Sequence, residues 1–265
     1  MRCRYKDDEI IKWERVEIQR SSSEASHTDP EQLVYTESNL ARYMNPPENT
    51  CYTLEYAYHL LGNVHGKSVL DFGCGNGENT VLLAHQGAEV YGMDISHDII
   101  KIAEHRLKLN GITTGVRFFV SSAHDIALAD ESVDVIFGMA ILHHLELPLV
   151  AREVRRVLRK GGRAIFEEPV HNSKLVKFVR NLIPYRSPDV SPFERPLTDE
   201  ELKNFAEGFS EYRSKAFTLP YTNLARLLPV VNKFSKPLSR FDSKVLGQFP
   251  FLGYYATMRV IEMVK

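Results

Sequence analysis

The stretch VLDFGCGNG (residues 69–77) decides the fold of this 265-residue chain. A short apolar run leads into three glycines in five positions, Gly73, Gly75 and Gly77. Glycine tolerates positive φ and lets another group approach the main chain closely. The stretch therefore predicts either an ordinary strand-to-helix turn or the backbone of a nucleotide site.

Short apolar runs alternate with amphipathic segments from about residue 50 to residue 170. The apolar runs predict five strands, at Ser68–Phe72, Glu89–Asp94, Arg117–Val120, Val133–Phe137 and Arg163–Glu167. A helix is predicted at Glu78–His85, and another begins after Ser96 as its N-cap. Strands that are apolar throughout and separated by helices indicate a parallel sheet covered on both faces. The predicted fold class is α/β, a doubly wound sheet with right-handed crossovers.

The composition sets broad limits on function. The formal net charge is −1, and lysine and arginine are scattered, so no footprint for nucleic acid is expected. No apolar run reaches the length of a membrane span, and the N-terminal stretch has no signal-peptide core. Cys3, Cys51 and Cys74 have neither disulfide nor metal-site spacing. These observations lead us to expect a cytoplasmic protein without membrane insertion.

The spacing of acidic residues around the glycines restricts the class of ligand that the turn could bind. Asp94 ends the second predicted strand, about 20 positions after Gly73, where a carboxylate can accept both ribose hydroxyls. A dinucleotide fold usually reads G-x-G-x-x-G, whereas this turn reads G-x-G-x-G and is flanked by Asp71 and Glu78. Carboxylates near a helix N-terminus would repel a phosphate group bound there. The pattern favours an adenosine compound that carries positive charge.

At this point the chain resembles a family, the class I S-adenosylmethionine-dependent methyltransferases of the methyltransferase type 11 group. The resemblance is carried by VLDFGCGNG (69–77), VYGMDIS (90–96), ADESVDVIFGMAILHHL (129–145) and RRVLRKGGRAIFEEP (155–169). These motifs cover about residues 68 to 169. The resemblance implies a seven-stranded Rossmann-like sheet with a helical cap, S-adenosyl-L-methionine as cofactor and S-adenosyl-L-homocysteine as product.

The resemblance also implies which residues hold the cofactor. Asp71 and the glycine turn would bind the methionine part, and Asp94 would bind the ribose. Ala123 and a neighbour would contact the adenine, and Gly138 and Met139 would flank the sulfonium. The implied cofactor-binding set is Asp71, Gly73, Cys74, Gly75, Gly77, Asp94, Ile95, Ser122, Ala123, His124, Gly138 and Met139. The family often has aspartate where Ser122 stands, contacting the adenine amino group; Ser122, His124 or Asp125 are the candidates to replace it.

Catalysis of methyl transfer depends mainly on alignment and exclusion of water, and a base is needed only when the acceptor loses a proton. The candidate bases at the ligand edge are His143, His144, Glu168 and His171. Each has an alternative interpretation as a turn, cap or loop-anchoring residue. No carboxylate cluster is evident in the sequence, so no metal is expected, and Cys74 is not expected to be a nucleophile.

Four stretches divide the chain. Residues 1–48 are predicted as an N-terminal lid segment with a loop at Ser21–Ser26, 49–170 as the cofactor-binding core, 171–252 as a substrate-binding cap, and 253–265 as the last strand. A capping box at Thr198–Glu201 predicts a helix in the cap, and Ser187–Pro196 resembles the lid loop of relatives. The aromatic residues suited to an acceptor are Tyr185, Phe193, Phe217, Tyr221, Phe241, Phe249 and Phe251, and Tyr35 or Tyr43 is a candidate to close over the cofactor.

Together these features favour a small-molecule O- or C-methyltransferase of secondary metabolism, acting on a lipophilic or aromatic acceptor. An RNA or protein methyltransferase is disfavoured by the neutral charge, and an amino-group methyltransferase of the N/D-P-P-Y/F/W type by the missing signature. A non-catalytic cofactor-binding subunit is disfavoured by the intact turn and Asp94. A NAD-dependent oxidoreductase is disfavoured by the glycine spacing and Asp71. The oligomeric state stays open.

Overall fold

A computed structural model describes residues 7–29, 33–173, 195–222 and 235–265. Cys3, Tyr185, Phe193 and most of the predicted lid loop Ser187–Pro196 lie outside these ranges. Seven strands form one sheet: β1 (Ser68–Phe72), β2 (Glu89–Asp94), β3 (Val116–Val120), β4 (Val133–Met139), β5 (Leu158–Pro169), β6 (Glu211–Phe217) and β7 (Met258–Val264).

The strand order is β3-β2-β1-β4-β5-β7-β6. The first five strands pair in parallel, and β7 pairs antiparallel with both β5 and β6. All five residues of β1 are buried, as its continuous apolar sequence predicts for a central strand. The order reverses between β1 and β4, which is where an open α/β sheet leaves a crevice for ligands. The predicted doubly wound, mostly parallel sheet is confirmed.

Helices cover both faces of the sheet. They are α1 (Asp7–His27), α2 (Glu37–Met44), α3 (Thr53–Leu61), α4 (Glu78–His85), α5 (His97–Leu109), α6 (Leu147–Val157), α7 (Asp199–Phe205) and α8 (Ser235–Gln248), with 3₁₀ turns at Leu142–His144 and Pro250–Tyr255. Helices α6 and α7 pack on one face around Phe166 and Phe205, and α3 and α4 pack on the other around Tyr58 and Phe137. No described helix is both long and apolar enough to cross a membrane.

Two parts of the structure differ from the sequence-based prediction. The predicted loop at Ser21–Ser26 is wrong, because these residues lie inside α1. Burial of Ile10 and Trp13 stabilises that helix. The Ser26 hydroxyl donates a hydrogen bond to the Ser23 carbonyl. The stretch 171–252, predicted as a cap, also contains β6, which is an edge strand of the main sheet.

Candidate functional site

The glycine turn after β1 has a backbone that glycine alone adopts without strain. Gly73 and Gly77 have φ of +72° and +84°. A Cβ at Gly73 would lie 2.8 Å from the side chain of Ile141, and one at Gly77 would lie 2.9 Å from the Cβ of Ala103. The main chain is therefore packed closely against α5 and against the segment that follows β4. The open side of the turn, at Gly75, faces a cavity.

Asp94 ties this turn to the next strand. Its Oδ2 accepts a hydrogen bond from the Gly75 amide at 3.0 Å, and its Oδ1 accepts one from the Ser96 amide at 3.0 Å. Burial raises the pKa of the carboxyl above its usual value, and these amide bonds oppose the shift. The carboxylate thus lies at the carboxyl end of β2, fixed by main-chain donors, on the wall of the cavity.

Asp71 lies on β1, behind the turn. It is 2% exposed, and Thr80 Oγ1 donates to its Oδ2 at 2.5 Å, which joins the strand to α4. Burial raises the pKa of Asp71 to about 7. Cys74 is also buried, and burial raises the pKa of its thiol well above the usual range. Among described residues, no group of three or more His, Cys, Asp or Glu side chains is arranged to hold a metal.

The residues around the turn enclose a cavity of about 150 Å³, here called the central cavity. Its wall includes eight residues of the predicted cofactor set: Gly73, Gly75, Asp94, Ile95, Ser122, Ala123, His124 and Met139. Gly138 lies beside it on β4, where a Cβ would meet Phe166 at 2.6 Å. The structure therefore brings together segments that follow β1, β2, β3 and β4, as the parallel topology requires.

Helix α1 forms the remaining wall of the central cavity. It contributes Trp13, Glu14, Glu17, Arg20, Ser21 and Glu24. The sequence did not indicate any of these residues as part of a binding site, although residues 1–48 were predicted as a lid. A signal was present in the helical spacing of Ile10, Trp13 and Glu17, all of which are buried. Neither Tyr35 nor Tyr43 lines the central cavity; Tyr43 packs against Tyr58 with ring centroids 5.2 Å apart, and closure of Tyr35 or Tyr43 over the cofactor stays a prediction.

Glu14 joins α1 to the segment after β3. His124 Nε2 accepts a hydrogen bond from the Glu146 amide at 3.1 Å, so the ring proton is on Nδ1, which donates to Glu14 Oε1 at 2.9 Å. The Ser122 hydroxyl donates to the same carboxylate oxygen. The bond from His124 is the main reason that the pKa of Glu14 is lowered. The contact holds α1 over the cavity by a charge-assisted pair of bonds.

Glu168 and His143 form a buried unit under the turn that follows β4. Glu168 is fully buried; its Oε1 accepts from the amides of Ile141 and Leu142 at 2.9 and 2.7 Å. Its Oε2 accepts from His143 Nδ1 at 2.8 Å. These contacts are those of a loop-anchoring carboxylate. The predicted catalytic role of either residue stays a prediction, and the geometry favours positioning of the turn.

His144 reaches the central cavity, whereas His171 is held elsewhere. His144 lies in the cavity wall, with its Nδ1 3.4 Å from Glu17 Oε2 on α1. Its ring centroid is 4.1 Å from that of His143. The backbone amide of His171 donates to the Leu197 carbonyl at 2.8 Å, next to α7. Of the four predicted bases, His144 is the one the structure places on the wall of the central cavity.

Glu167 is a further carboxyl at this edge that the sequence did not single out as a base. It pairs with Met139 across β4 and β5, and the Thr53 hydroxyl donates to its Oε1 at 2.7 Å. Burial raises its pKa to about 7. Two adjacent glutamates on one strand point to opposite faces, so Glu167 faces α3 while Glu168 faces the turn. Only the structure distinguishes the two environments.

A second cavity, of about 750 Å³, lies along the outer edge of β6. Its wall includes the aromatic residues Tyr212, Phe217 and Tyr254, and the charged residues Asp199, Lys203, Lys215, Asp242 and Arg259. Arg259 is paired with Asp199 through two bonds of 2.8 and 2.6 Å. Of the aromatic residues predicted for an acceptor, Phe217 lines this cavity, and Phe249 and Phe251 are exposed.

Comparison with known proteins finds a family match for one segment of the chain. Residues 70–166 match the family model described as "Methyltransferase domain". This segment carries the glycine turn, Asp94 and most of the strands from β1 to β5. Residues 70–166 therefore resemble a methyltransferase domain, and the solved structures that share this fold include an S-adenosylmethionine-dependent methyltransferase from Archaeoglobus fulgidus.

Individual relatives that part of the chain resembles are named as methyltransferases. It is 36% identical over 111 residues to Methyltransferase GfsG of Streptomyces halstedii, covering 41% of this chain and 40% of that protein. It is 30% identical over 154 residues to the Ubiquinone biosynthesis O-methyltransferase of Aliivibrio fischeri, covering 54% and 64%. The chain therefore spans about half the length of the curated relatives it matches.

The solved structures agree on the fold. Geranyl diphosphate C-methyltransferase from Streptomyces coelicolor A3(2), solved with Mg²⁺, geranyl diphosphate and S-adenosyl-L-homocysteine, superposes with a TM-score of 0.54. The two chains are 18% identical, and the match covers 78% of this chain and 76% of that one. At this identity the likeness concerns the fold alone.

The charges around the central cavity fit a cationic nucleoside. Its wall carries four carboxylates, Asp94, Glu14, Glu17 and Glu24, and a single arginine, Arg20, among the described residues. A diphosphate would meet repulsion here, whereas a sulfonium and an ammonium group would be attracted. The tight glycine turn leaves main-chain atoms beside the cavity rather than bulky side chains. S-adenosylmethionine has both the positive charge and the ribose that these residues suit.

Proposed function

We propose that this protein transfers a methyl group from S-adenosylmethionine to an oxygen or carbon of a small, lipophilic or aromatic molecule. The observation that carries the proposal is the acidic central cavity, where the glycine turn and Asp94 meet at the reversal of strand order. The names of the relatives, an O-methyltransferase and a C-methyltransferase among them, support a small acceptor. A role in secondary metabolism and a cytoplasmic location belong to the same proposal.

In this proposal each segment holds one part of the cofactor. Asp94 accepts the ribose hydroxyls, the Gly73–Gly77 turn lies along the methionine part, and Ala123 packs against the adenine. The bound cofactor supplies an electrophilic methyl group whose leaving group is a neutral thioether. The protein contributes alignment of the acceptor with that methyl group and exclusion of water, which together account for most of the acceleration in such displacements.

A proton has to be accepted when the acceptor is a hydroxyl. We assign this role to His144, because it lines the central cavity beside Met139. His143 and Glu168 hold the turn that carries it. Glu167, whose pKa is raised to about 7 by burial, is the second candidate, at the α3 side of the same strand ends. A carbon acceptor would use the same groups after methylation, when a proton leaves the product.

In the same proposal, each of the four stretches of the chain has its own role in binding. Residues 1–48 act as the lid, with α1 over the cofactor, and residues 49–170 hold the cofactor. Residues 171–252 supply the acceptor pocket in addition to β6, and residues 253–265 complete the sheet. The aromatic residues of the third stretch suit a lipophilic acceptor. No nucleic acid is part of the proposal, because the net charge is −1.

Calorimetry with S-adenosylhomocysteine and with NAD tests the cofactor. We expect binding of the former only, and Asp94→Ala should weaken it by about 2–3 kcal/mol, the value of charge-assisted bonds to the ribose. Preference for NAD, or an unchanged affinity in Asp94→Ala, would refute the assignment. Turnover against phenols, prenylated compounds, RNA and protein then tests the acceptor class, and methylation of a macromolecule alone would refute that part.

A further inference from the structure

The end of β3 is where a nucleoside base would lie in the central cavity. β3 pairs with β2, Asp94 sits opposite Val120, and the segment Ser122–His124 follows directly. A ribose held by Asp94 therefore carries its base toward this outer segment. The apolar residues that line the cavity include Ile99, Ala123 and Trp13 of α1, which is 3% exposed. These apolar side chains suit the flat faces of a base. The polar edge of the base then faces the polar side chains that line the same corner of the cavity.

Glu14 provides a fixed acceptor at that edge. Its Oε1 is occupied by His124 Nδ1 and by the Ser122 hydroxyl. Within the described residues no hydrogen bond is made by its Oε2, and the side chain is 23% exposed, in the cavity wall. Two donors thus orient the carboxylate and leave one of its oxygens available. A carboxylate oxygen accepts hydrogen bonds and donates none, so its complement is a donor such as an amino group.

The polar side chains of Ser121, Ser122 and His124 are already committed to other hydrogen bonds. The Ser122 hydroxyl donates to Glu14 and accepts from the His124 amide at 3.0 Å. Both ring nitrogens of His124 are bonded, and the Ser121 hydroxyl is bonded to the Asp125 carbonyl and to the Ala127 amide, each at 3.0 Å. Among Glu14, Ser121, Ser122 and His124, Glu14 is therefore the side chain with an acceptor oxygen left over, and the exposed Asp125 does not line the central cavity.

We propose that Glu14 of the lid helix accepts a hydrogen bond from the exocyclic amino group of adenine. The assignment rests on the proposed cofactor. It makes recognition of the base and closure of α1 the same event, because the acceptor is carried by the lid and not by the core. Ser122 and His124 then act as positioning residues that hold the carboxylate.

The size of the central cavity agrees with such a coupling. At about 150 Å³ it is smaller than the roughly 300 Å³ at the lower end of cofactor pockets. Helix α1 has to move outward to admit the cofactor and settle again around it. A lid that contacts the base directly is stabilised by the ligand it encloses, so loss of Glu14 should speed dissociation more than it slows association.

The test compares S-adenosylhomocysteine with S-inosylhomocysteine, in which a carbonyl replaces the amino group. We expect the wild-type chain to bind the adenine compound about 10- to 100-fold more tightly, and Glu14→Ala to bind both with similar affinity. The double variant Glu14→Ala/Ser122→Asp should recover the preference, because a carboxylate returns to the same corner from the core. Lys12→Ala, an exposed residue of the same helix, is the matched control and should keep the wild-type preference.

The outcomes separate the two proposals. If Glu14→Ala keeps the preference for adenine, or weakens both compounds equally, the assignment is overturned and Glu14 serves only to fasten the helix. If the wild-type chain binds neither compound, the proposed function itself fails. Circular dichroism and the unfolding midpoint of each variant show that a lost preference does not come from lost structure.

Discussion

Glu168 has four hydrogen bonds and no exposure to solvent, and this makes it the most constrained carboxylate beside the site. Three of its donors are successive backbone amides, those of Ile141, Leu142 and His143. Ala140, just before them, has a φ of +53°, which a non-glycine residue adopts only where its surroundings impose it. One carboxylate thus holds the turn that presents His144 to the cavity.

Substituting Glu168→Gln should therefore destabilise the protein. The amide has one acceptor in place of two and places an NH₂ group against backbone donors, so the free energy of unfolding should fall by about 2–3 kcal/mol. Urea unfolding measures the change. The matched control is Glu167→Gln, which alters the adjacent residue but leaves the turn intact. Equal losses in the two variants would show that Glu168 does not anchor the turn.

Gly77 combines two constraints that can be separated by mutation. It has a φ of +84°, and a Cβ there would meet Ala103 at 2.9 Å; Gly111 has a φ of +71° with no atom within 4 Å of such a Cβ. Gly111→Ala should cost about 1 kcal/mol for the backbone alone, and Gly77→Ala about 2–3 kcal/mol because α4 and α5 must also separate. Thermal unfolding compares them, and a Gly77→Ala as stable as Gly111→Ala would contradict the packing argument.

Among the elements, those with a continuous apolar sequence were predictable, and those formed at an interface were not. β1, β2 and α4 have the predicted bounds, because burial on both faces and a bordering glycine leave clear marks in the sequence. α1 packs against a cavity rim that includes Ser122 and His124, so its buried face carries glutamates and does not read as apolar. β6 is an edge strand with mostly exposed or half-buried residues, and it lacks the pattern of a central strand.

The same reasoning applies to the site. The residues supplied by the sheet ends were predictable, since topology brings strand ends together whatever their separation in sequence. Asp94 and the glycines could be recognised from spacing alone. The place of Glu14 and Trp13 in the cavity could not be recognised, because helical spacing indicates which residues of α1 are buried but not where the helix docks on the finished sheet.

A substitution of Trp13 tests whether helix α1 retains the bound ligand. It is 3% exposed in α1, its ring centroid lies 6.5 Å from that of His124, and replacing it by alanine removes a large buried side chain from the cavity wall. We expect Trp13→Ala to raise the dissociation rate of S-adenosylhomocysteine about tenfold or more, with a smaller effect on association. Stopped-flow fluorescence or surface plasmon resonance measures both rates. Ile18→Ala, on the exposed face of the same helix, should leave them unchanged.

At the scale of the whole molecule, the buried carboxyls couple stability to pH. Asp71, Asp94 and Glu167 all have a pKa raised by burial, and for Asp71 and Glu167 it lies at about 7. Each of these groups holds a proton in the folded state at a pH where the unfolded chain has lost it. A cationic cofactor would reverse this tendency, because positive charge favours the ionised carboxylates.

The pH dependence of the ligand-free protein follows with a definite sign. Between the unfolded pKa near 4 and the folded value of about 7, the native state binds more protons through Asp71, so the free energy of unfolding falls as the pH rises. Asp71→Asn removes this contribution while Glu167 and Asp94 keep theirs. Urea unfolding at pH 5, 6, 7 and 8 should therefore show a shallower decline in the variant, on the order of a few kcal/mol over the window. Parallel profiles would mean that Asp71 is ionised throughout, held by the Thr80 hydroxyl despite its burial.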